Sequence, residues 1–190
     1  MQIFLQTERL ILRRFTGGDV DNLCNLDGDP DVMRFINGGI PTPRDEIEHD
    51  YLPAFLAYYE RGDRYGFWAA IEKSSGEFLG WFHFRPGEGS GPNEPELGYR
   101  LRKSAWGKGY ATEGSKALIH KGFNELGAER IVASAYEANT ASRRVMEKVG
   151  MTLVRTYPVG QSNPLLVGPE RFNSNGVDYA LEKDDWERQG

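Results

Sequence analysis

Apolar positions change their period several times along the chain, and each change marks an element. Leu10, Ile11 and Leu12 lie between charged flanks and stop at Gly17-Gly18, which predicts a first strand over Thr7 to Phe15. Asp19 then caps a short helix holding Val20 and Leu23. A second helix follows Asp29-Pro30 through Val32, Met33 and Phe35, ending before Asn37-Gly38-Gly39. From Pro43 to Tyr59 the residues Ile47, Tyr51, Ala54, Phe55 and Tyr58 recur at helical spacing, and Pro53 within the run predicts a kink or a break. Two aromatic-rich runs, Tyr65 to Glu72 and Phe78 to Arg85, joined by Lys73-Ser74-Ser75-Gly76, read as an antiparallel hairpin. A loop rich in Gly and Pro, Pro86 to Pro95, then delivers a strand at Glu96 to Leu101.

The second half alternates strands with helices. Gly109 to Leu126 puts Ala111, Leu118, Ile119, Gly122 and Leu126 on one helical face and Glu113, Lys116, His120 and Asn124 on the other. Strand Arg130 to Tyr136, helix Thr140 to Val149 and strand Met151 to Pro158 follow, an order that implies at least one crossover unit in a mixed sheet. Val159 to Gly176, with two prolines and little periodicity, reads as a loop, and Val177 to Leu181 as the closing strand. No repeat or linker divides the pieces, so a single domain over residues 1–190 is expected.

Composition narrows the function classes. Hydrophobic residues at 39% exclude a wholly disordered chain, and the formal charge of -5 removes any overall drive toward nucleic acid or an anionic membrane. No run approaches ~18 apolar residues, so neither a leader nor a membrane span is expected. The single cysteine, Cys24, closes no intrachain disulfide and suits a reducing, cytoplasmic compartment. Its three histidines are scattered. His49 near Glu46 and Glu48 is too little for a metal site, and His120 lies on the polar helix face. No metal is proposed.

Within this acidic chain the stretch Arg100 to Glu113 crowds Arg100, Arg102, Lys103 and Lys108 around Gly107 and Gly109, just ahead of an amphipathic helix. Glycines allow a tight turn and close approach of backbone to a ligand, and the free amides of a helix N-terminus favour an anion. A phosphate fits there; the plainer alternative is a glycine turn with solvated charges. The stretch is neither a three-glycine dinucleotide fingerprint nor a P-loop.

The blocks Glu96-Leu97-Gly98-Tyr99-Arg100-Leu101, Trp106-Gly107-Lys108-Gly109-Tyr110-Ala111-Thr112-Glu113 and Asn139 to Met151 together resemble the GNAT acetyltransferases, and with the opening Thr7 to Arg13 they are most similar to the RimJ/RimL-like branch. The resemblance implies an α/β fold with a mixed, mostly antiparallel sheet flanked by helices. It also implies a splayed strand pair with acetyl-CoA in the splay, and direct acetyl transfer to an amine. Tyr99, Arg100 and Leu101, the loop Trp106, Gly107, Lys108, Gly109, Tyr110 and Ala111, and Asn139 with Ser142 are the cofactor-binding positions it implies. Trp106 stands where the wider family begins its loop with Gln or Arg. Met146 stands where many members carry a tyrosine acid, so that acid is excluded, and the resemblance points instead to Asn139 and Ser142 beside the pantetheine arm and thiol.

An alkylammonium must lose a proton before it attacks a thioester, so a carboxylate, a histidine or a held water is needed nearby. Glu96 opens the strand that feeds the loop, and period-two geometry puts Glu96, Gly98 and Arg100 on one face. It is the expected base, with a rim carboxylate as the plain alternative; His83, between Phe82 and Phe84, is the second candidate. Backbone amides near Tyr99 and Arg100 are placed by the resemblance to polarise the thioester carbonyl. Asn139 also suits a helix N-cap. Three readings stay open: acetylation of a protein N-terminal α-amine, acetylation of a small amine such as an antibiotic or polyamine, and a non-catalytic acyl-CoA-binding regulatory module.

Overall fold

The computed structural model describes residues 2–87, 89–159 and 175–189. Its strands are β1 (Ile3–Gln6), β2 (Leu10–Arg14), β3 (Gly66–Glu72), β4 (Phe78–Pro86), β5 (Pro95–Leu101), β6 (Arg130–Tyr136), β7 (Thr152–Pro158) and β8 (Asn175–Glu182). They form one sheet in the order β1-β2-β3-β4-β5-β6-β8-β7, antiparallel except where β5 meets β6. The helices are α1 (Val20–Asp27), α2 (Pro30–Asn37), α3 (Arg44–Glu46), α4 (Leu52–Tyr58), α5 (Tyr110–Asn124), α6 (Thr140–Lys148) and α7 (Lys183–Gln189). Most of the expected loop from Val159 to Gly176 lies outside the described residues; Asn175 and Gly176 begin β8. Among the described residues no helix is long and apolar enough to cross a membrane.

The expected first strand is the second one, with β1 paired antiparallel before it. The run from Pro43 to Tyr59 is helical but interrupted. Pro53 has no N–H to offer the carbonyl four residues back, and just before it the chain widens into a π-helical turn, Ile47–Tyr51, in which the Leu52 amide bonds to the Ile47 carbonyl. Helix α7 carries no apolar stripe; it is held by Trp186, whose ring lies 5.2 Å from that of Phe123.

Alternation along β4 and β5 sends side chains to two separate cores. Phe82, Phe84, Leu97 and Leu101 point to the face covered by α5 and α6, where they meet Leu118, Phe123 and Met146. Trp81 points to the opposite face, where Phe15, Leu26, Ile47 and Phe55 of the first half pack against it. Helix α5 lies close on β4 because Gly114 faces the ring of Phe82: a Cβ there would sit 2.4 Å from it.

The strands β5 and β6 are parallel, linked through α5, and joined by the single pair Glu96↔Val132. On its other side β5 is paired with β4 from Pro95 to Leu101, and β6 is paired with β8 from Arg130 to Tyr136. Each strand is therefore anchored by its outer neighbour while the two diverge from one another after the first rung. This is the splayed pair that the resemblance implied.

Candidate active site

A cavity of about 330 Å³ occupies the wedge between β5 and β6 and reaches both faces of the sheet. It gathers Glu96, Tyr99, Arg100, Asn139 and Ser142 of the expected set, together with His83. Leu101, the last residue of β5, points into the core under α5, and the stretch from Trp106 to Ala111 follows where β5 runs out; neither lines it.

Backbone direction within the wedge is fixed by the β4–β5 ladder. The Arg102 amide bonds to the Leu79 carbonyl, and bonded residues alternate along an antiparallel pair. Arg100 and Gly98 therefore pair with β4, and the amides of Leu97, Tyr99 and Leu101 point into the wedge. Tyr99 rather than Arg100 offers its N–H there.

On the α5–α6 face, the Tyr99 ring is largely buried, and its hydroxyl meets that of Ser142; burial raises its pKa and the serine contact opposes the rise. Asn139 caps α6, its side-chain oxygen accepting from the Ser142 amide at 3.2 Å. The cap fixes Ser142 in the first turn of α6. Ser115 is 1% exposed, lines the cavity, and its hydroxyl has no hydrogen-bond partner among the described residues. It was not singled out from the sequence, although a serine beside Ala111, Leu118 and Ile119 on an otherwise apolar helix face is a readable signal.

Beyond β5, Gly107 and Gly109 adopt φ of 72° and 85°, and Gly109 stands at the N-cap of α5 with no side chain to cap the helix. The first amides of α5 are thus left for an anion. Arg9 holds this turn: its Nη1 donates to the Lys108 carbonyl at 3.0 Å, its Nε to Glu113 at 2.7 Å, and its guanidinium covers the Tyr110 ring at 4.5 Å. Trp106, 46% exposed, donates its indole N–H to the Leu101 carbonyl, and the Tyr110 hydroxyl bonds to Glu72. Of the four basic residues, Lys103 pairs with Asp31 and Arg100 with Asp27, while Arg102 and Lys108 make no ion pair among the described residues. An acyl-CoA fits these features, with phosphates at the α5 N-terminus and the arm along the wedge beside the Tyr99 amide and the unpartnered Ser115 hydroxyl.

On the opposite face Glu96 is 7% exposed, and among the described residues no hydrogen bond reaches its carboxylate. Burial pushes its pKa up, Arg85 opposes the rise and Asp178 adds to it. His83 lies against Gly98, its Nε2 only 2.2 Å from where a Cβ would stand, so β5 needs glycine there. Burial, reinforced by Arg85 and Arg100, holds His83 down to about 3, so its ring is neutral near pH 7. The Arg100–Asp27 pair, 2.5 Å apart and almost fully buried, ties β5 to α1. Removing one partner of such a pair generally costs about 3–5 kcal/mol.

Comparison with known proteins gives the same picture. Residues 9–152 match the family model described as an acetyltransferase (GNAT) domain. The uncharacterized protein YkkB of Bacillus subtilis is 33% identical over 80% of this chain and 87% of its own. The FsC-acetyl coenzyme A-N(2)-transacetylase of Aspergillus fumigatus is 29% identical over 97% of this chain and 78% of its own. A GNAT-family acetyltransferase structure from Bacillus anthracis superposes with a TM-score of 0.75 at 24% identity, covering 97% of this chain and 99% of that one. With a family match across most of its length, the chain belongs to the GNAT family of acetyltransferases and draws its acetyl group from acetyl-CoA.

Proposed function

We propose that this acetyltransferase acts on an α-amine, as the RimJ/RimL-like resemblance implies, and that Glu96 receives the proton the attacking ammonium must lose. The observation that carries this reading is the position of Glu96: a buried carboxylate of raised pKa, without a hydrogen bond among the described residues, in the one rung from which the wedge opens. A base works best with a pKa near the working pH, which favours Glu96, moved up by burial, over His83, moved down to about 3. An α-amine with pKa about 7.7–8.0 is also far more often neutral at pH 7 than a lysine of about 10.4. The fungal relative is itself named for transfer to an N(2) nitrogen.

Acetyl-CoA supplies a thioester carbonyl in the wedge. The neutral amine forms a bond to that carbon while the Tyr99 amide donates to the developing oxyanion. The added nitrogen must then shed its second proton, which Glu96 would take after passing the first to solvent, while the carbon–sulfur bond breaks and the Ser142 hydroxyl, in contact with Tyr99, would pass a proton to the departing thiolate and recover one from solvent. Glu96→Gln should lower kcat roughly 10²-fold with acetyl-CoA affinity unchanged, and should flatten the rise of rate with pH. Wild-type rates in that variant at every pH would remove Glu96 from the chemistry, and a larger loss in His83→Gln would transfer the role.

A further inference from the structure

On the side of the cavity that faces the helices of the first half, three buried hydrogen-bond donors stand without a partner among the described residues. Trp81 Nε1, Arg85 Nε and Arg100 Nε are all buried, all belong to residues lining the cavity, and none has a partner among the described residues. Buried donors are rarely left so without a ligand or water to take them. Among the described lining residues Glu96 is the one carboxylate, against two guanidinium groups. Arg100 is already matched to Asp27 and lies 5.0 Å from the Trp81 ring. Arg85 has no carboxylate within ion-pair range among the described residues, and its best-placed contact is a 3.4 Å bond from Nη1 to the Pro86 carbonyl.

Its position is telling. Arg85 and Glu96 are opposite one another in the β4–β5 register, so their side chains leave the same face as cross-strand neighbours, about 5 Å apart at Cβ. The Arg85 guanidinium stands 5.2 Å from the Phe67 ring, and Phe67 stacks on Phe55 at 4.0 Å to form an apolar wall. A ligand that answers every group here places an ammonium toward Glu96, an oxygen-rich anion toward Arg85 and an apolar body along Phe55 and Phe67. A polycation answers only one of the three.

We propose that the acceptor bears a carboxylate close to its reactive amine, and that Arg85 is the specificity residue that holds it. This rests on the reading that the amine is delivered beside Glu96. The same anion has two sources, the α-carboxylate of a free amino acid or an acidic side chain near a peptide N-terminus.

The test uses matched sets of L-amino acid, amino amide and decarboxylated amine over several side chains. Peptides with aspartate or alanine at the second position, spermidine and kanamycin are added. Binding is measured by calorimetry on the CoA-loaded protein, and kcat/KM separately with acetyl-CoA. The best carboxylate-bearing member should bind at least about tenfold tighter than its amide and amine, as one charge-assisted contact allows. Arg85→Gln should bring that ratio to about one, and Arg85→Lys should restore part of it. A ratio cancels any general effect of Arg85 on Glu96, so a merely structural arginine would leave it unmoved. Preference for amino acids over aspartate peptides, or the reverse, identifies the source. The proposal is overturned if amides, amines or polycations bind as well as the acids, if nothing binds, or if Arg85→Gln weakens all members alike. Carboxylate-dependent binding without acetylation would uphold Arg85 and sink the α-amine transfer.

Discussion

Glu96 is held in a form that the fold itself disfavours. An unfolded glutamate titrates near 4.3, and burial raises the native value above that. Across this interval the native state binds more protons than the unfolded chain, so stability falls as pH rises through it and stays lowered above it. Glu96→Gln should therefore raise Tm by a few degrees at about pH 8 and leave it unchanged near pH 4, a pairing that thermal melts at both values check. An equal Tm at both would mean the carboxylate is solvated in the native state. His83 tilts the balance the other way: held at about 3, it contributes stability gained as pH rises from there toward about 6.5. At this scale the sequence was only partly legible. Alternation along one strand put Glu96, Gly98 and Arg100 together, but Arg85 and Asp27 meet that face through cross-strand register and a helix packing 73 residues away, which no local pattern encodes.

Among the elements, the turn ahead of α5 is read locally and supported remotely. Gly107, Gly109 and the polar face of α5 are adjacent in sequence, so the glycine turn and the start of the helix were legible there; the strut from Arg9, 99 residues before the Lys108 carbonyl it bonds, was not. Because Arg9 also binds Glu113 in the first turn of α5, it fixes the turn and the helix as a unit. Arg9→Ala should weaken acetyl-CoA binding about tenfold without changing kcat, comparable to losing one hydrogen bond to a charged group. Calorimetry giving wild-type affinity would reduce Arg9 to packing. Gly109→Val, which forces a branched residue to φ 85°, should be the more damaging of the two. The elements missed from sequence lacked the expected signals: β1 is only four residues long, without alternation, and in α7 only Trp186 is apolar.

For the whole molecule, the one rung between β5 and β6 divides the sheet into β1–β5 and β6–β8, which are otherwise joined by α5 and the core beneath it. A pantetheine arm seated in the wedge would bridge the two blocks where their own backbone pairing stops. Saturating CoA should raise stability by RT ln(1 + [L]/Kd), about 2.7 kcal/mol at a hundredfold excess over Kd. Hydrogen-exchange protection should increase most at Leu97 to Leu101 and Ala133 to Tyr136, and gains confined to β1 and β2 would place the arm elsewhere. Proteases cleave chains that open, and the open population falls as ligand binds. The half-life of this protein under a protease should therefore lengthen as acetyl-CoA or CoA is added, by the factor by which the ligand lowers the open population.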